Sequence, residues 1–272
     1  MAKGGLSKKI MTIWYSKMNI INIISLHIII FAFFAPFHVL ANNQKEKIIF
    51  PPDSLQMVVV ITPNLNASGG TIQFFEREHA YASWVTVNPL KKIVVGKNGL
   101  GWSQDIYTLG YKGSMKREGD KKAPAGLFYL SSVFGYALKN KMKHLKMPYF
   151  HADESLICVD DKNSMFYNQI VDSSAEKKDW KSYEKMKRND ELYRLGVIVD
   201  YNTFPTIAGR GSCIFLHIWR NSNKPTVGCT AMAFNLMKKL VSWLEIEKKP
   251  VLVQLPQSEF ELVSKDWRLP EK

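Results

Sequence analysis

The most regular apolar spacing in the chain falls at Ala233, Leu236, Met237, Leu240, Val241 and Leu244, with Lys238 and Lys239 between. That 3.6-residue period predicts an amphipathic helix with the lysines on its wet face. Most of the remaining pattern is strand-like. Met57–Ile61 and Leu195–Val199 are unbroken apolar runs, as expected of buried strands. Thr71–Glu78, Tyr81–Val87 (alternating around Trp84) and Lys92–Val95 extend a β-meander at the front of the domain, with a turn at Asn66–Gly70. Pro124 and Gly126 lead into an aromatic strand, Ser212–Trp219 alternates, and Val251–Leu255 closes the domain as a strand. Ser173–Leu195 is rich in Lys and Glu, with Trp180, Tyr183 and Met186 at helical spacing, and predicts a surface helix. Lys97–Trp102 is glycine-rich but lacks the strand–loop–helix context of a phosphate-binding loop, so it reads as a plain loop. No internal repeat is present, and residues 55–272 read as one domain.

The first 41 residues are set apart. Lys3, Lys8, Lys9 and Lys17 precede an apolar run from Ile20 to Phe34, and Val39-Leu40-Ala41 offers small residues for a signal peptidase. The run is short for a membrane span of about 20 residues, and Asn22 and His27 interrupt it. A cleaved secretory signal is the expectation, with an uncleaved anchor as the alternative; residues 42–54 then form a short tether. Removing four leader lysines takes the formal charge from +13 to +9. A basic chain outside the cytoplasm suits an anionic wall or membrane surface, and no nucleic-acid partner is expected there.

Candidate chemistry concentrates between Cys213 and Met232. Alternation places Cys213, Phe215, His217 and Trp219 on one strand face, with Ile214, Leu216 and Ile218 toward the core. A strand histidine is often only structural, but a short loop with Pro225 then leads to Thr226-Val227-Gly228-Cys229 and on to the predicted helix. A glycine before a cysteine lets backbone N–H groups approach a bound carbonyl. A thiol near an imidazole and a helix N-terminus is expected to have a lowered pKa. Cys229 is therefore the candidate nucleophile and His217 its base; the bland alternative is a buried free thiol. In an oxidising compartment, three cysteines most simply mean one bridge and one free thiol. With Cys229 free, Cys158 pairs with Cys213; two unconnected buried thiols are the alternative. Asp160-Asp161 lacks a histidine at ligand spacing and fits a turn or a wall of the substrate site better than a metal site. No metal or cofactor is expected.

From about Leu55 to Pro256 the sequence resembles the L,D-transpeptidases with the YkuD-type catalytic domain. The resemblance rests on Glu118-Gly119-Asp120 with Ala123-Pro124-Ala125-Gly126, and on His217 followed by Thr226-Val227-Gly228-Cys229-Thr230-Ala231-Met232. Cys158-Val159-Asp160-Asp161 and Gly211–His217 match a secreted branch of that family. Better-studied members carry His-Gly, Ser-His-Gly-Cys and an arginine two residues later; here Ile218, Thr226-Val227 and Ala231 stand at those places. The resemblance implies a mainly β, sandwich-like catalytic fold with one or two helices, one of them after Cys229. It implies transpeptidation of peptidoglycan stem peptides through a Cys229 thioester, with the Gly228 and Cys229 N–H groups as oxyanion hole; the alternatives are an L,D-carboxypeptidase or wall-peptide hydrolase without crosslinking, and a non-catalytic wall-binding domain. Ser212, Asp200, Asn202 or a backbone carbonyl would orient the imidazole. Thr226, Asp160, Asp161, Arg210 and Trp219 are candidate substrate contacts.

Overall fold

The apolar run at Met57–Ile61 lies within β1 (Gln56–Thr62), which is buried along its whole length. In the computed structural model, residues 53–107 and 110–271 are described. The leader and the tether through Pro52 lie outside the described residues. The tether's last residue already belongs to the fold: Ser54 is buried and its carbonyl accepts from Arg77 Nε at 2.8 Å. The chain continues through β2 (Gly69–Glu76), β3 (Val85–Thr86), β4 (Lys91–Val94), β5 (Leu100–Trp102), α1 (Gln104–Tyr107) and the long β6 (Ala123–Gly135). Then come β7 (Tyr149–His151), β8 (Leu156–Val159), β9 (Ile170–Asp172), β10 (Tyr183–Lys185) and β11 (Leu195–Val199). β12 (Phe215–Ile218), β13 (Thr230–Met232), α2 (Phe234–Trp243), β14 (Val251–Pro256) and α3 (Gln257–Val263) follow.

The main sheet runs β1-β14-β6-β11-β12-β13-β4-β2, and β2 pairs back onto β1. That closes the strands into a barrel, which leaves no edge within the ring. The fold is thus mainly β, as expected, with a barrel in place of the expected sandwich. Within the ring β1–β14 and β12–β13 are parallel, and the other ring pairs are antiparallel. The expected helix is α2, which buries Leu236, Met237, Leu240 and Val241 and packs on β11 and β12. Each such side chain contributes about 1.5–3 kcal/mol of burial, so α2 is anchored by its stripe. α3, which the sequence reading missed, packs on β14 and β1.

Outside the ring, β10, β8 and β9 form a small antiparallel sheet. It occupies part of the segment expected to be a surface helix, and that expectation was wrong. Trp180 and Met186 are buried in two different clusters while Tyr183 is exposed, so the three do not share a helical stripe. Polar side chains tie this segment to the turn after β8 instead. Asp161 Oδ2 accepts from Lys181 N at 2.8 Å, and Asp179 accepts from Ser164 Oγ and Met165 N. A backbone N–H given to a carboxylate, as at Lys181, is not available to a helix.

Two loop-and-strand assignments also change. Leu100–Trp102 is not loop but β5, pairing parallel with β6. Gly99, just before it, has φ +78° and leaves no room for a Cβ beside the Leu65 carbonyl. Conversely, only Val85–Thr86 of Tyr81–Val87 pairs as strand, because Trp84 turns aside to donate its indole N–H to Arg268 O.

Candidate active site

β12 and β13 pair in parallel, with Leu216 opposite Thr230 and His217 opposite Ala231. One step back in the same register, Cys229 faces Phe215, whose N–H donates to Cys229 Sγ at 3.3 Å. The two faces separate as expected: Cys213, Phe215 and Cys229 join one buried cluster, and Ile214, Leu216 and Ile218 join the other. The strand is shorter than Ser212–Trp219, however. Cys213 has φ +55°, so pairing begins only at Phe215. In that conformation Cys213 N–H reaches Asn168 Oδ1 at 2.9 Å. The Cys158–Cys213 bridge is formed and Cys229 is the free thiol. Denatured, unreduced protein is therefore expected to titrate one thiol with a chromogenic disulfide; three would remove the bridge.

The thiol is not acidic in this state. Cys229 is 7% exposed. Burial, then the neighbouring Glu184 charge, pushes its pKa up to about 12, against the opposing pull of Phe215 N–H, the Tyr193 hydroxyl and Lys116. The expected lowering fails for a visible reason: Cys229 leads into β13, and α2 begins only at Phe234, so no helix N-terminus reaches the sulfur. His217, 6% exposed, is pushed down to about 4 by burial. Its Nδ1 lies 2.8 Å from the Ile218 carbonyl. A carbonyl only accepts, so Nδ1 carries the proton and Nε2 keeps its lone pair.

The backbone carbonyl is thus the group that orients His217. The side chains considered for that role are engaged elsewhere. Ser212 Oγ donates to Glu118 Oε2 at 2.7 Å, and Asp200 Oδ1 accepts from Ser131 Oγ at 2.5 Å. Asn202 bonds Ile207 and Gly211. Among the oxyanion donors, Gly228 N–H is already given to Thr226 Oγ1 at 3.1 Å, and the Thr226 hydroxyl donates to Cys229 O at 2.6 Å.

The expected substrate contacts do not converge. Asp161 accepts from Asn163 N and Lys181 N and so holds a turn. Asp160 Oδ1 is buried without a partner. Arg210 lines a cavity of about 210 Å³ with Asp200 and Asn202, and neither Cys229 nor His217 lines it. Trp219 follows β12 and is half-buried, and its N–H donates to Met232 O.

Three residues that sequence reasoning gave no role stand close to the thiol or its strand. Glu118 Oε2 accepts from both Tyr167 Oη, at 2.6 Å, and Ser212 Oγ, tying the segment between β8 and β9 to the approach to β12. Its Glu-Gly-Asp setting was the available signal. Tyr193, 3% exposed, sets its ring 5.1 Å from that of His217 and donates its hydroxyl to Glu184 Oε1 at 2.6 Å. Nothing in the Lys/Glu-rich run marked this pair. Among the described residues no group of three or more His, Cys, Asp or Glu could hold a metal ion, and no helix is long and apolar enough to cross a membrane. No protein-family model matches the chain, and no curated protein matches it.

Proposed function

We propose that this protein is an exported cysteine L,D-transpeptidase acting on peptidoglycan stem peptides, with Cys229 as nucleophile and His217 as base. The observation that carries the reading is the single unbridged thiol, placed by strand register two positions from a histidine whose Nε2 is the unprotonated nitrogen. The sequence resemblance supplies the substrate class. In the proposed reaction Nε2 takes the thiol proton and Sγ attacks the carbonyl carbon of the third stem residue. The C–N bond to the terminal D-alanine breaks, and the imidazolium returns the proton to the leaving amine. An amine of a second stem then displaces sulfur and forms a 3→3 crosslink. The net charge suits work beside an anionic wall or membrane surface.

The resting arrangement is a closed one. Moving a proton from a thiol near 12 to an imidazole near 4 would cost on the order of 10 kcal/mol. Productive chemistry therefore needs the pair rehydrated or its charges matched by substrate. The segment after β10 is the element to displace, since Met186 packs in the cluster that holds Cys229, whereas β8 is bridged in place through Cys158.

A second reading, hydrolysis without crosslinking, is favoured by one specific feature. Ala231, at the place of the family arginine, is fully buried within β13 opposite His217 and leaves no cation there. The deciding experiment incubates the protein with tetrapeptide muropeptides and reads product masses. A tripeptide–tetrapeptide dimer lost in Cys229→Ala is the expected result. Free tripeptide alone means a carboxypeptidase, and unchanged muropeptides sink both readings.

A further inference from the structure

The thiol has a buried acidic neighbour that the base–nucleophile scheme does not use. Tyr193 lies in the cluster of Cys229, Phe134 and Phe215, its ring edge-on to Phe134, Phe215 and His217 at centroid distances of 5.5, 5.7 and 5.1 Å. Packing on three rings leaves its hydroxyl one position. There it donates to Glu184 Oε1 at 2.6 Å, within the same buried cluster as the Cys229 thiol. Glu184 stands on β10 opposite Cys158, so the bridged small sheet carries it to this spot. Arg188 covers the Tyr193 ring at 5.0 Å and pairs with Glu184 at 3.6 Å and with Asp190 at 3.0 Å.

A tyrosine hydroxyl has one proton to give. Here it goes to a carboxylate, from within the cluster that also holds the sulfur. We propose that Tyr193 and Glu184 form a positioning pair for the Cys229 thiol, in which the hydroxyl supports the ionised sulfur and the carboxylate opposes it. The proposal rests on Cys229 being the reactive thiol. When the sulfur is neutral, the proton goes to Glu184, as observed. When the sulfur is anionic, the same proton turns to it within the shared cluster, and Glu184 competes for it while repelling the new charge. The other charged or titratable groups facing this pair are Arg188, Asp160 and Glu118 about Glu184, and Lys116 about Cys229. His217 packs on the Tyr193 ring. Arg188 fixes the carboxylate, and Lys116 is held by Arg117 O and Asp120.

The two members act in opposite senses, and that makes the test sharp. The full chain with its bridge oxidised is treated with methyl methanethiosulfonate at mildly alkaline pH, and capping of Cys229 is followed by intact mass, with Cys229→Ala as blank. A hydrogen bond to a charged group shifts an ionisation by about one unit or more. Tyr193→Phe is therefore expected to cap about tenfold more slowly than wild type. Glu184→Gln, which keeps an acceptor for the hydroxyl and removes the charge, is expected to cap about tenfold faster. A merely structural role would loosen the cluster and accelerate both. Capping of Tyr193→Phe at or above the wild-type rate, or of Glu184→Gln at or below it, overturns the proposal, as does a thiol left uncapped in all three. Because no stem peptide is used, the outcome is independent of the muropeptide assay. A protein inert toward stems but with opposed capping rates keeps the pair, and one that turns over stems with unmoved rates loses it.

Discussion

Replacing both bridge cysteines, Cys158→Ser with Cys213→Ser, is expected to lower stability by about 4 kcal/mol. The bridge closes a sequence separation of 55 residues, and in the chain-entropy picture a loop of that size removes much of the freedom of the unfolded chain. For a domain of this size each kcal/mol moves the melting temperature by about 2–4 °C, so calorimetry should show a fall of roughly 8–16 °C. Adding a reductant to the wild-type protein should approach the same value, and adding it to the double variant should do nothing further. The effect reaches beyond stability. The bridge fastens β8 to the backbone at Cys213, whose carbonyl lies 3.5 Å from Cys229 Sγ. Without it the small sheet is held to that segment mainly by Glu118, through Tyr167 and Ser212, and by Asn168. A melting temperature unmoved by both the substitutions and the reductant would mean that these polar contacts already confine the segment.

What could be read from the sequence follows the range of the forces involved. The buried strands, the α2 stripe and the two faces of the Cys213–His217 stretch are legible because burial imposes a short period on neighbouring residues. Barrel closure is not local. It depends on β2 pairing with both β1 and β4, which no periodicity reports. The error at Ser173–Leu195 has the same origin. Trp180, Tyr183 and Met186 have helical spacing, but Asp161, from elsewhere in the chain, binds the Lys181 backbone, and Asp179 is spent on Ser164 and Met165. At the site, the residues that the proposal uses were visible by type: one cysteine left after pairing, and one histidine on the strand beside it. Their electrostatics were not. The acidic thiol was inferred from a helix that in fact starts at Phe234. The raised one comes from burial and from Glu184, which sits 45 residues upstream (229 minus 184) and arrives only through pairing with β8.

The same burial makes His217 a point of acid weakness, and the sign can be worked out. Its folded pKa is depressed, from the ordinary 6.5 to about 4. The folded state therefore favours neutral imidazole, a contribution fully present above pH 6.5 and lost as the pH falls toward 4. The gap corresponds to about 3 kcal/mol. Other groups titrate nearby in the opposite sense. Glu184 and Asp200 are raised by burial, so their contributions grow on acidification. Asp190, lowered by Arg188, loses its contribution only below the ordinary aspartate range. A single stability curve mixes all of these, so the measurement is a difference. Urea unfolding of wild type and of His217→Gln, a side chain that keeps a donor for the Ile218 carbonyl and does not titrate, is compared at neutral pH and at pH 4. At neutral pH the variant should be the less stable of the two, because it loses ring packing on Tyr193. On acidification the wild type should give up about 3 kcal/mol more than the variant does. Parallel curves would mean that the imidazole takes up its proton as easily folded as unfolded. Water would then already reach the ring, and the closed state inferred for the Cys229–His217 pair would have to be abandoned with it.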